Sequence, residues 1–317
     1  MSSVGQSPRA ARTVTTCAGA VTDPVYVVVL NWNGERDTAA CLDSFLCQRG
    51  VQTEILLVDN ASTDGSGERL RERYSSISYL QTGANLGYTG GNNCGIAWAL
   101  ARGAAWILVV NNDTVADPDC VQRLLAAAAS DERLAAVAPL IVRCDDPARV
   151  WFAGGRFDQV RAVGVHENEG ALASAVTADI LGGQHQAWRP CTFLTGCCLL
   201  LRSSALQEVG GFRDDFFAYC EDLELSLRLL RAKWRIAWVP AARIAHRVPP
   251  RDAEATPAQI FLRDRNRRRL VRLHYALGWR LAFALWFWPT RMVHVARYLV
   301  RGEGVRARAI LRGMRAR

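Results

Sequence analysis

The chain has 317 residues, and because half of them are hydrophobic it can bury at least one large core. Its ten cysteines show no paired CxxC spacing, which argues against a zinc site or a disulfide framework and favours free thiols. Residues 1–22 lack an apolar stretch long enough for a signal peptide. We therefore expect a cytoplasmic protein whose first 22 residues are disordered.

The formal net charge of +9 is concentrated near the C-terminus. Residues 261–317 contain fifteen arginines and two acidic residues, Asp264 and Glu303, which leaves +13 in this segment and −4 in the rest of the chain. A basic segment of this kind suits an anionic lipid surface, nucleic acid or plain solvent.

Three apolar, β-branched runs at residues 25–30, 54–58 and 106–110 predict buried parallel strands. The segments between them, 39–47 and 90–101, have helical spacing. Strands and helices in alternation indicate an open, mostly parallel α/β sheet with right-handed crossovers. Ligands of such sheets bind beyond the carboxyl ends of the strands, where polar residues follow all three runs.

The second half of the chain is less regular. A helix is predicted after Pro118, which suits a first helical position, and residues 145–190 predict an irregular insertion or a small extra sheet. An apolar strand pattern covers 193–202, an amphipathic helix 221–231 and a further strand 235–239.

Polar side chains after the second strand could meet a nucleotide. Asp59, Asn60 and Asp64 can exchange hydrogen bonds with a base and a ribose. The same residues also suit an ordinary turn and a helix N-cap, and taken alone the two interpretations are about equal.

The segment from Asn85 to Gly95 is rich in glycine at a predicted helix start. Glycine allows backbone to approach a ligand closely, and the free N–H groups of a helix start suit an anion. The segment lacks the spacing of the dinucleotide fingerprint and of the P-loop, so neither of those sites is predicted.

Carboxylates and one histidine could carry the chemistry. Asp113, at the end of the third strand, is a candidate ligand for a divalent cation, although an Asx-turn is the simpler role. Glu221 and Asp222 lie at a helix start, where a carboxylate could act as a general base or form a solvated acidic cap. His246 is structural if it acts alone, but with a carboxylate and phosphate oxygens it would suit Mg²⁺ or Mn²⁺.

Taken in order, these segments resemble the family 2 glycosyltransferases, and among them the bacterial rhamnosyltransferase-like enzymes of cell-surface polysaccharide assembly. The resemblance covers about residues 25–274. Its specific parts are Asn-Trp-Asn-Gly at 31–34, Asp-Asn-Ala-Ser-Thr-Asp at 59–64, Asn-Leu-Gly at 85–87, Gly-Gly-Asn-Asn at 90–93, Asn-Asn-Asp-Thr at 111–114, Thr-Gly at 195–196, Gly-Gly-Phe at 210–212, Glu-Asp at 221–222 with Arg228, and His246.

The resemblance implies a GT-A fold and an inverting transfer of a sugar, such as rhamnose, from a nucleotide diphosphate donor. The acceptor would be a hydroxyl of a cell-surface polysaccharide or a lipid-linked saccharide precursor. The residues implied to bind the donor are Asn31, Asn33, Asp59, Asn60, Asp64, Asn85, Gly87, Gly91, Asn93 and Asn112.

The same resemblance assigns the metal and the base. Asp113 stands at the last acid of the family's aspartate-x-aspartate motif, and His246 resembles the second ligand of Mg²⁺ or Mn²⁺. Where the motif has its first acid this sequence has Asn111, which leaves one negative charge fewer. Asp222 resembles the catalytic base, and Glu221 is its neighbour and the alternative base.

Other functions fit the sequence less well. A nucleotidyltransferase would need basic groups for a triphosphate near the first loop, where only Arg36 is close. A sugar-nucleotide-binding protein without activity would keep the donor motifs but would not need the acidic pair. A nucleic-acid partner would leave the acidic clusters without a purpose, so we expect none.

The domain organisation follows from these features. We expect a GT-A domain over residues 23–256 and an arginine-rich helical tail over 257–317. Residues 281–290 carry no charge but are too few to span a bilayer, which needs about 20 apolar residues. The aromatic cluster of Trp279, Trp286, Phe287 and Trp288 predicts attachment to the inner, anionic face of the membrane, unless these rings cap the core or form a protein interface.

Overall fold

A computed structural model describes residues 24–181, 187–248 and 253–316. The N-terminal segment 1–22, for which disorder is predicted, lies outside the described residues. Twelve strands are formed in the described part of the chain. In chain order they are β1 (Val25–Asn31), β2 (Thr53–Asp59), β3 (Ser78–Gln81), β4 (Trp106–Asn111), β5 (Thr114–Ala116), β6 (Leu134–Arg143), β7 (Val150–Phe152), β8 (Gly155–Asp158), β9 (Val163–His166), β10 (Arg189–Pro190), β11 (Cys198–Arg202) and β12 (Arg235–His246).

The helices lie between and after these strands, and a short 3-10 helix covers Asp214–Phe216. The α-helices are α1 (Glu35–Leu46), α2 (Ser66–Arg73), α3 (Gly87–Leu100), α4 (Cys120–Ala129), α5 (Ala173–Leu181), α6 (Ser203–Val209), α7 (Glu221–Arg231), α8 (Pro257–His274), α9 (Leu277–Val300) and α10 (Gly304–Arg315). The predicted α/β class and C-terminal helices are confirmed.

One large sheet runs in the order β10-β12-β6-β11-β4-β1-β2-β3. The half formed by β4, β1, β2 and β3 is entirely parallel, as the three apolar runs predict. Strand β11 pairs antiparallel with both β4 and β6, so the sheet as a whole is mixed. The carboxyl ends of β1, β2 and β4 meet at one edge of the sheet. Asn31 pairs with Asp59 on β2, and the preceding residue, Leu30, pairs with Asn111 on β4.

Helix α3 lies against β1 at very short range. A Cβ atom placed on Gly95 would lie 2.3 Å from a side-chain carbon of Val28, and one on Gly91 would lie 2.5 Å from Leu30. Real Cβ contacts are longer, so these two positions require glycine. The close contact fixes where α3 begins relative to the sheet edge.

Several element boundaries differ from the predictions. Strand β11 begins only at Cys198, because residues 193–197 form a loop whose N–H and C=O groups bond to the side chain of Asp222 and to the backbone of Asn111. Strand β12 continues past Val239 to His246, because its second part pairs with β5 as well as β6. Helix α4 starts at Cys120, so Pro118 precedes the helix.

Residues 145–190 contain more structure than the sequence pattern indicates. Strand β7 joins the large sheet, β8 and β9 form a separate antiparallel pair, and α5 follows them. The nine cysteines of the described residues are all free thiols.

The three C-terminal helices, α8, α9 and α10, pack on one another and on the preceding part of the chain, which forms the large sheet and its helices and which we call the sheet unit. Thr256 caps α8 through a capping box with Gln259. On α8, Asn266 and Leu270 are completely buried, and on α9 Phe287 is completely buried. Among the described residues, no helix has both the length and the hydropathy that crossing a bilayer requires. The division of the chain at residue 256 remains a prediction.

Candidate active site

Asp113 and His246 are brought together by strand pairing. In the antiparallel β5–β12 ladder, His246 is the partner of Thr114, the residue after Asp113. The backbone N–H of Arg247 donates to the carbonyl of Asp113 at 2.9 Å, which fixes the turn. As a result His246 Nε2 lies 3.2 Å from Asp113 Oδ1, although the two residues are far apart in the sequence.

The chemistry of this pair fits a divalent cation. Asp113 Oδ1 is buried and has no hydrogen-bond donor among the described residues, although His246 Nε2 faces it at 3.2 Å. Buried polar atoms without partners are rare and call for an explanation such as a bound ion. Among the described residues no group of three or more His, Cys, Asp or Glu side chains could form a closed metal cage. The pair could therefore supply two ligands and leave the other positions to a bound diphosphate and water.

The loop before α7 holds a strained backbone. Phe217, Tyr219 and Cys220 have φ angles of 64°, 72° and 67°, which side-chain-bearing residues rarely adopt. Several constraints of this kind in so short a segment need support from the surrounding structure. The side-chain amide of Asn266 on α8 provides it by donating to the carbonyls of Phe216, Ala218 and Tyr219 at 2.7 to 2.8 Å.

Asp222 is held in a defined orientation at the first turn of α7. The backbone N–H of Gly196 donates to Asp222 Oδ2 at 3.0 Å, and that of Leu223 donates to Oδ1 at 2.7 Å. The hydroxyl of Tyr88 in turn donates to the carbonyl of Gly196 at 2.6 Å. Burial raises the pKa of Asp222, while the two N–H donors oppose that rise. A carboxylate held in this way can accept a proton from a hydroxyl that reaches it.

Glu221 has a different environment. Its Oε2 is buried without a hydrogen-bond partner. Burial, and then the adjacent charge of Asp222, raise the pKa of Glu221 well above its usual range. Glu221 therefore holds a proton more readily than an exposed glutamate does, and its protonated form cannot act as a base.

The acidic pair lines a first cavity of about 260 Å³ at the carboxyl edge of the sheet. Trp151 also lines it, and its ring packs edge-on against that of His246 with a centroid distance of 4.5 Å. The metal-fitting pair thus lies beside this cavity. The lining residues are Tyr88, Asn111, Trp151, Thr195, Gly196, Cys197, Ala218, Tyr219, Glu221 and Asp222.

A second cavity of about 480 Å³ adjoins the first. The two share Trp151, Thr195, Tyr219 and Asp222 as walls, whereas Glu221 lines only the first. The far side of the second cavity is built by arginines of the C-terminal helices. Asp222 therefore stands between two spaces that could hold two reactants.

Asn31 and Asp59, both predicted to contact the donor, are fully buried and bonded to each other at 2.9 Å. The carboxylate of Asp59 also accepts hydrogen bonds from Ser62 and from the side chain of Gln81. All its acceptor positions are engaged, so a direct contact to a base would require one of these donors to move. Asn33 accepts a bond from the N–H of Thr63 at 2.8 Å and thereby closes the same loop.

Asn60 and Asn85 organise the start of α3. The amide of Asn60 donates to Asn85 Oδ1 and to the carbonyl of Gly87, both at 3.1 Å. Gly87 has a φ of 71°, and a Cβ atom there would lie 2.5 Å from Phe217. Gly87 is thus required for close contact with the strained loop before α7.

The remaining predicted donor ligands lie around these two clusters. Asp64 is exposed and accepts a bond from the N–H of Ser66, and Asn112 donates to Thr38 Oγ1 at 2.8 Å. Asn93 bonds to the backbone of Phe212 and to Asp214 Oδ1, and Gly91 packs on β1. None of the ten predicted donor ligands is among the described residues that line the two cavities. Their role in donor binding stays a prediction.

Several residues that line the cavities were not among the predicted site residues, and three of them are aromatic side chains beside the acidic pair. Trp151, His166 and Tyr219 all line the second cavity, and Trp151 and Tyr219 line both. Trp151 and His166 lie in the segment that the sequence pattern leaves irregular, so no periodicity identifies them. Tyr219 could have been suspected from its place two residues before the acidic pair.

A mixed sheet with a cavity at its carboxyl edge, lined by an acidic pair, is typical of the GT-A glycosyltransferases. A solved structure of GalNAc-T7 with UDP, GalNAc and Mn²⁺ is similar, with a TM-score of 0.66 and 15% identity. The match covers 84% of this chain but only 50% of that chain, so this chain spans half the length of that protein. The likeness confirms the GT-A fold.

The sequence comparisons give the family. The family model described as Glycosyl transferase family 2 matches residues 26–210. The N-acetylglucosaminyl-diphospho-decaprenol L-rhamnosyltransferase of Mycobacterium tuberculosis is 34% identical over 65% of this chain and 71% of its own length. The low-salt glycan biosynthesis hexosyltransferase Agl10 of Haloferax volcanii is 23% identical over 77% of this chain and 74% of its own length. The chain belongs to glycosyl transferase family 2, and it is a glycosyltransferase, as its sequence motifs predict.

Proposed function

We propose that this enzyme transfers a sugar from a nucleoside diphosphate donor, with inversion, to a hydroxyl of a lipid-linked saccharide. The observation that carries the proposal is the position of Asp222, which lines both cavities. A base between a donor and an acceptor can take the proton of the attacking hydroxyl. The name of the mycobacterial relative, which specifies a diphospho-decaprenol acceptor and a rhamnosyl group, supports this substrate class.

In the proposed reaction the transferred sugar of the donor occupies the first cavity, the nucleotide lies outside that cavity, and the acceptor enters from the second. The hydroxyl of the acceptor attacks the anomeric carbon from the side opposite the diphosphate, the bond to the diphosphate breaks, and the proton passes to Asp222. The N–H groups of Gly196 and Leu223 hold the carboxylate in one orientation, so that the accepting oxygen is positioned before the reaction. Glu221 in its protonated form, which burial favours, would add no negative charge beside the leaving group.

Asp113 and His246 would hold Mg²⁺ or Mn²⁺. A divalent cation there would supply positive charge to the departing diphosphate. The support is the buried Asp113 Oδ1, which accepts no hydrogen bond and faces His246 Nε2 at 3.2 Å, and the presence of Mn²⁺ with UDP in the similar GalNAc-T7 structure. Asn111, which lines the first cavity, is neutral, so the pair carries a single carboxylate charge toward the cation.

The donor nucleotide would lie against the loops of Asn31, Asp59 and Asn85 at the ends of β1, β2 and β3. These loops are cross-linked by side-chain hydrogen bonds, which would keep the nucleotide platform rigid. In this arrangement Asp59 orients its neighbours and the surrounding backbone rather than meeting the base alone.

Helix α9 would contact the inner face of the cell membrane. Exposed apolar residues recur on one side of this helix at spacings of three and four, and we call them the outer stripe: Leu277, Leu281, Leu285, Trp288 and Met292. Leu285 is 79% exposed and Leu281 is 57% exposed. A continuous exposed surface of large apolar side chains is unusual unless it binds a partner or a membrane. The arginine excess of residues 261–317 would attract anionic lipid. Phe287, in contrast, is buried and caps the core.

The test is a transfer assay with the full-length chain. Each of a panel of sugar nucleotides, including dTDP-rhamnose and UDP-hexoses, is incubated with a short-chain prenyl-diphosphate N-acetylglucosamine and Mg²⁺ or Mn²⁺. Formation of a disaccharide from one donor, with inverted anomeric configuration by NMR, supports the proposal. Donor binding without transfer to any acceptor or to water would instead indicate a sugar-nucleotide-binding protein. Release of diphosphate in a separate incubation with a nucleoside triphosphate and a sugar phosphate would indicate a nucleotidyltransferase.

A further inference from the structure

Helix α9 has an inner side that reaches the second cavity. Phe283, Phe287 and Val295 are buried at intervals of four and eight residues, and Arg291 lies on the same side between them. The outer stripe occupies the neighbouring, exposed side, about 100° away around the helix axis. One helix therefore presents an arginine to a cavity of the enzyme and an apolar surface to the exterior.

The second cavity contains an unusual group of cations. Arg263, Arg267 and Arg291 all line it, and the side chain of Arg267 is only 8% exposed. Three guanidinium groups in one cavity repel each other, and burying them is costly unless anions compensate. The structure supplies Asp264, whose Oδ1 accepts a bond from Arg291 at 3.1 Å. Asp222, on the wall shared with the first cavity, is the other acidic residue in the lining.

These carboxylates do not balance the arginines or satisfy their donors. Three positive charges face two carboxylates, and one of the two, Asp222, is oriented by backbone N–H groups at the opposite wall. Nε of Arg291 is buried and donates to nothing in the described residues. Arg263 is exposed at the cavity mouth, where its guanidinium stacks on the ring of Tyr219 at 4.8 Å. Arg267 donates to the carbonyl of Arg161, so the unused donors belong to Arg263 and Arg291. The cavity has one excess positive charge, although Asp264 Oδ2 is also buried without a hydrogen-bond partner.

We infer that the second cavity binds the diphosphate of a lipid-linked acceptor through Arg263 and Arg291, with Arg267 as a fixed buried charge. Arginine suits phosphate oxygens because its planar N–H groups can donate in pairs. The inference rests on the proposed function and adds to it the residues that select the acceptor.

The position of the cavity explains how one acceptor could meet both the base and the membrane. Its sugar would lie toward Asp222 and the aromatic wall of Trp151 and Phe193. Its diphosphate would lie at the arginines. Its hydrocarbon chain would leave along α9, where Trp288 and Met292 of the outer stripe flank Arg291 in the sequence. A diphosphate from the donor would instead lie at Asp113 and His246, beside the first cavity.

A binding experiment tests the inference without requiring turnover. Farnesyl diphosphate and farnesol are titrated calorimetrically into the full-length protein with a chelator present, which removes the cation on which diphosphate binding beside Asp113 would depend. We expect farnesyl diphosphate to bind and Arg263→Gln and Arg291→Gln each to weaken it about 10- to 100-fold, the range for a charge-assisted hydrogen bond. Arg297→Gln, an exposed arginine of the same helix outside the cavity, is the matched control and should bind as the wild type does.

Thermal unfolding of each variant shows whether it is folded. If Arg291→Gln unfolds because Asp264 loses its partner, the exposed Arg263 still provides the test. Equal binding of farnesyl diphosphate by wild type and Arg263→Gln, equal binding of farnesol and farnesyl diphosphate, or an equal loss in Arg297→Gln would each overturn the inference.

A kinetic experiment separates the acceptor diphosphate from the donor diphosphate. Transfer is measured to a prenyl-diphosphate N-acetylglucosamine and to octyl N-acetylglucosaminide, which has no phosphate. The arginine variants should lose about 10- to 100-fold in kcat/KM for the first acceptor and keep the wild-type KM for the donor. A raised donor KM with an unchanged acceptor KM would overturn the inference. Binding of farnesyl diphosphate as expected, together with no transfer to any acceptor, would reject the proposed function alone.

Discussion

The side-chain amide of Asn266 donates to the carbonyl of Tyr219 at 2.8 Å, across 47 residues of sequence. The same amide reaches the carbonyls of Phe216 and Ala218, and it is completely buried on α8. A residue of the C-terminal helices thus holds the backbone that aims Asp222.

Asn266→Leu should therefore lower kcat by more than its loss of stability alone would cause. The change leaves buried carbonyls without a donor, which costs about 1 to 3 kcal/mol of unfolding free energy. It should also lower kcat at least ~10-fold, because the loop before α7 would relax from its positive φ angles. Denaturant unfolding and steady-state kinetics measure the two effects.

The matched control is Gln48→Leu, because the Gln48 side chain also ties backbone groups together, namely those of Ser44, Asp117 and Val121, but away from α7. This variant should lose stability and keep kcat. Equal losses of kcat in both variants at equal stability would show that Asn266 has no special effect on the site.

Asp222→Asn should abolish most turnover while leaving donor binding intact. General-base catalysis is typically worth ~10² to 10⁴-fold in kcat. Glu221→Gln should retain most of the activity, because burial favours the neutral form of Glu221, which glutamine resembles. Single-turnover transfer and a nucleotide titration distinguish the effects. If Asp222→Asn kept the wild-type kcat and Glu221→Gln lost activity, Glu221 would be the base instead of Asp222.

Removal of metal should abolish activity, and readdition of Mg²⁺ or Mn²⁺ should restore it. Asp113→Asn and His246→Ala should each weaken Mn²⁺ binding and lower kcat about 100-fold or more, because the cation stabilises the leaving group by several kcal/mol. Mn²⁺ binding in the presence of UDP can be followed by electron paramagnetic resonance, independently of turnover. Asp117→Asn, an exposed acid of the same segment, is the control. Full activity in metal-free buffer would contradict the assignment.

The protonation of Glu221 should make stability depend on pH. Its pKa is raised on folding, so the folded protein retains a proton that the unfolded chain releases above about pH 4.3. The unfolding free energy should therefore fall as the pH rises from there toward the folded pKa, by about 1.4 kcal/mol for each pH unit between the two values. Glu221→Gln should remove this decline. Denaturant unfolding of both proteins at pH 5, 6.5 and 8 is the measurement, and parallel pH profiles would show that Glu221 ionises normally.

Negative charge introduced by substitution on the outer stripe should weaken the binding of the enzyme to membranes. Leu281→Glu with Leu285→Glu should lower the bound fraction in sedimentation with anionic vesicles, since a buried leucine contributes about 1.5 to 3 kcal/mol. Leu46→Glu, an exposed leucine at the end of α1, is the matched control. Point variants are preferable to truncation near Tyr275, because α9 also supplies the buried Phe287 and the partner of Asp264. Unchanged binding of the double variant, or no binding of the wild type at low salt, would favour an acceptor in solution.

Local patterns in the sequence determined the first half of the fold. Valine and isoleucine runs of the right length predict β1, β2 and β4, since buried parallel strands have apolar side chains on both faces. Their polar ends then had to meet at one edge of the sheet, because parallel strands share a direction. The pairing of Asp113 with His246 was likewise expected, although the register that sets their 3.2 Å separation required the β5–β12 ladder.

Only the tertiary structure decided how the side chains at that edge are used. Asn31 and Asp59 bond to each other, Gly91 serves packing against Leu30, and Asp222 rather than Glu221 faces both cavities. The second cavity joins Trp151, Tyr219 and Arg291, which no local pattern connects, because it depends on α8 and α9 folding back against α7 and the sheet unit. Helical periodicity shows that a helix has two sides, but only contacts made across long sequence separations determine which side binds the core, which lines a cavity and which stays exposed.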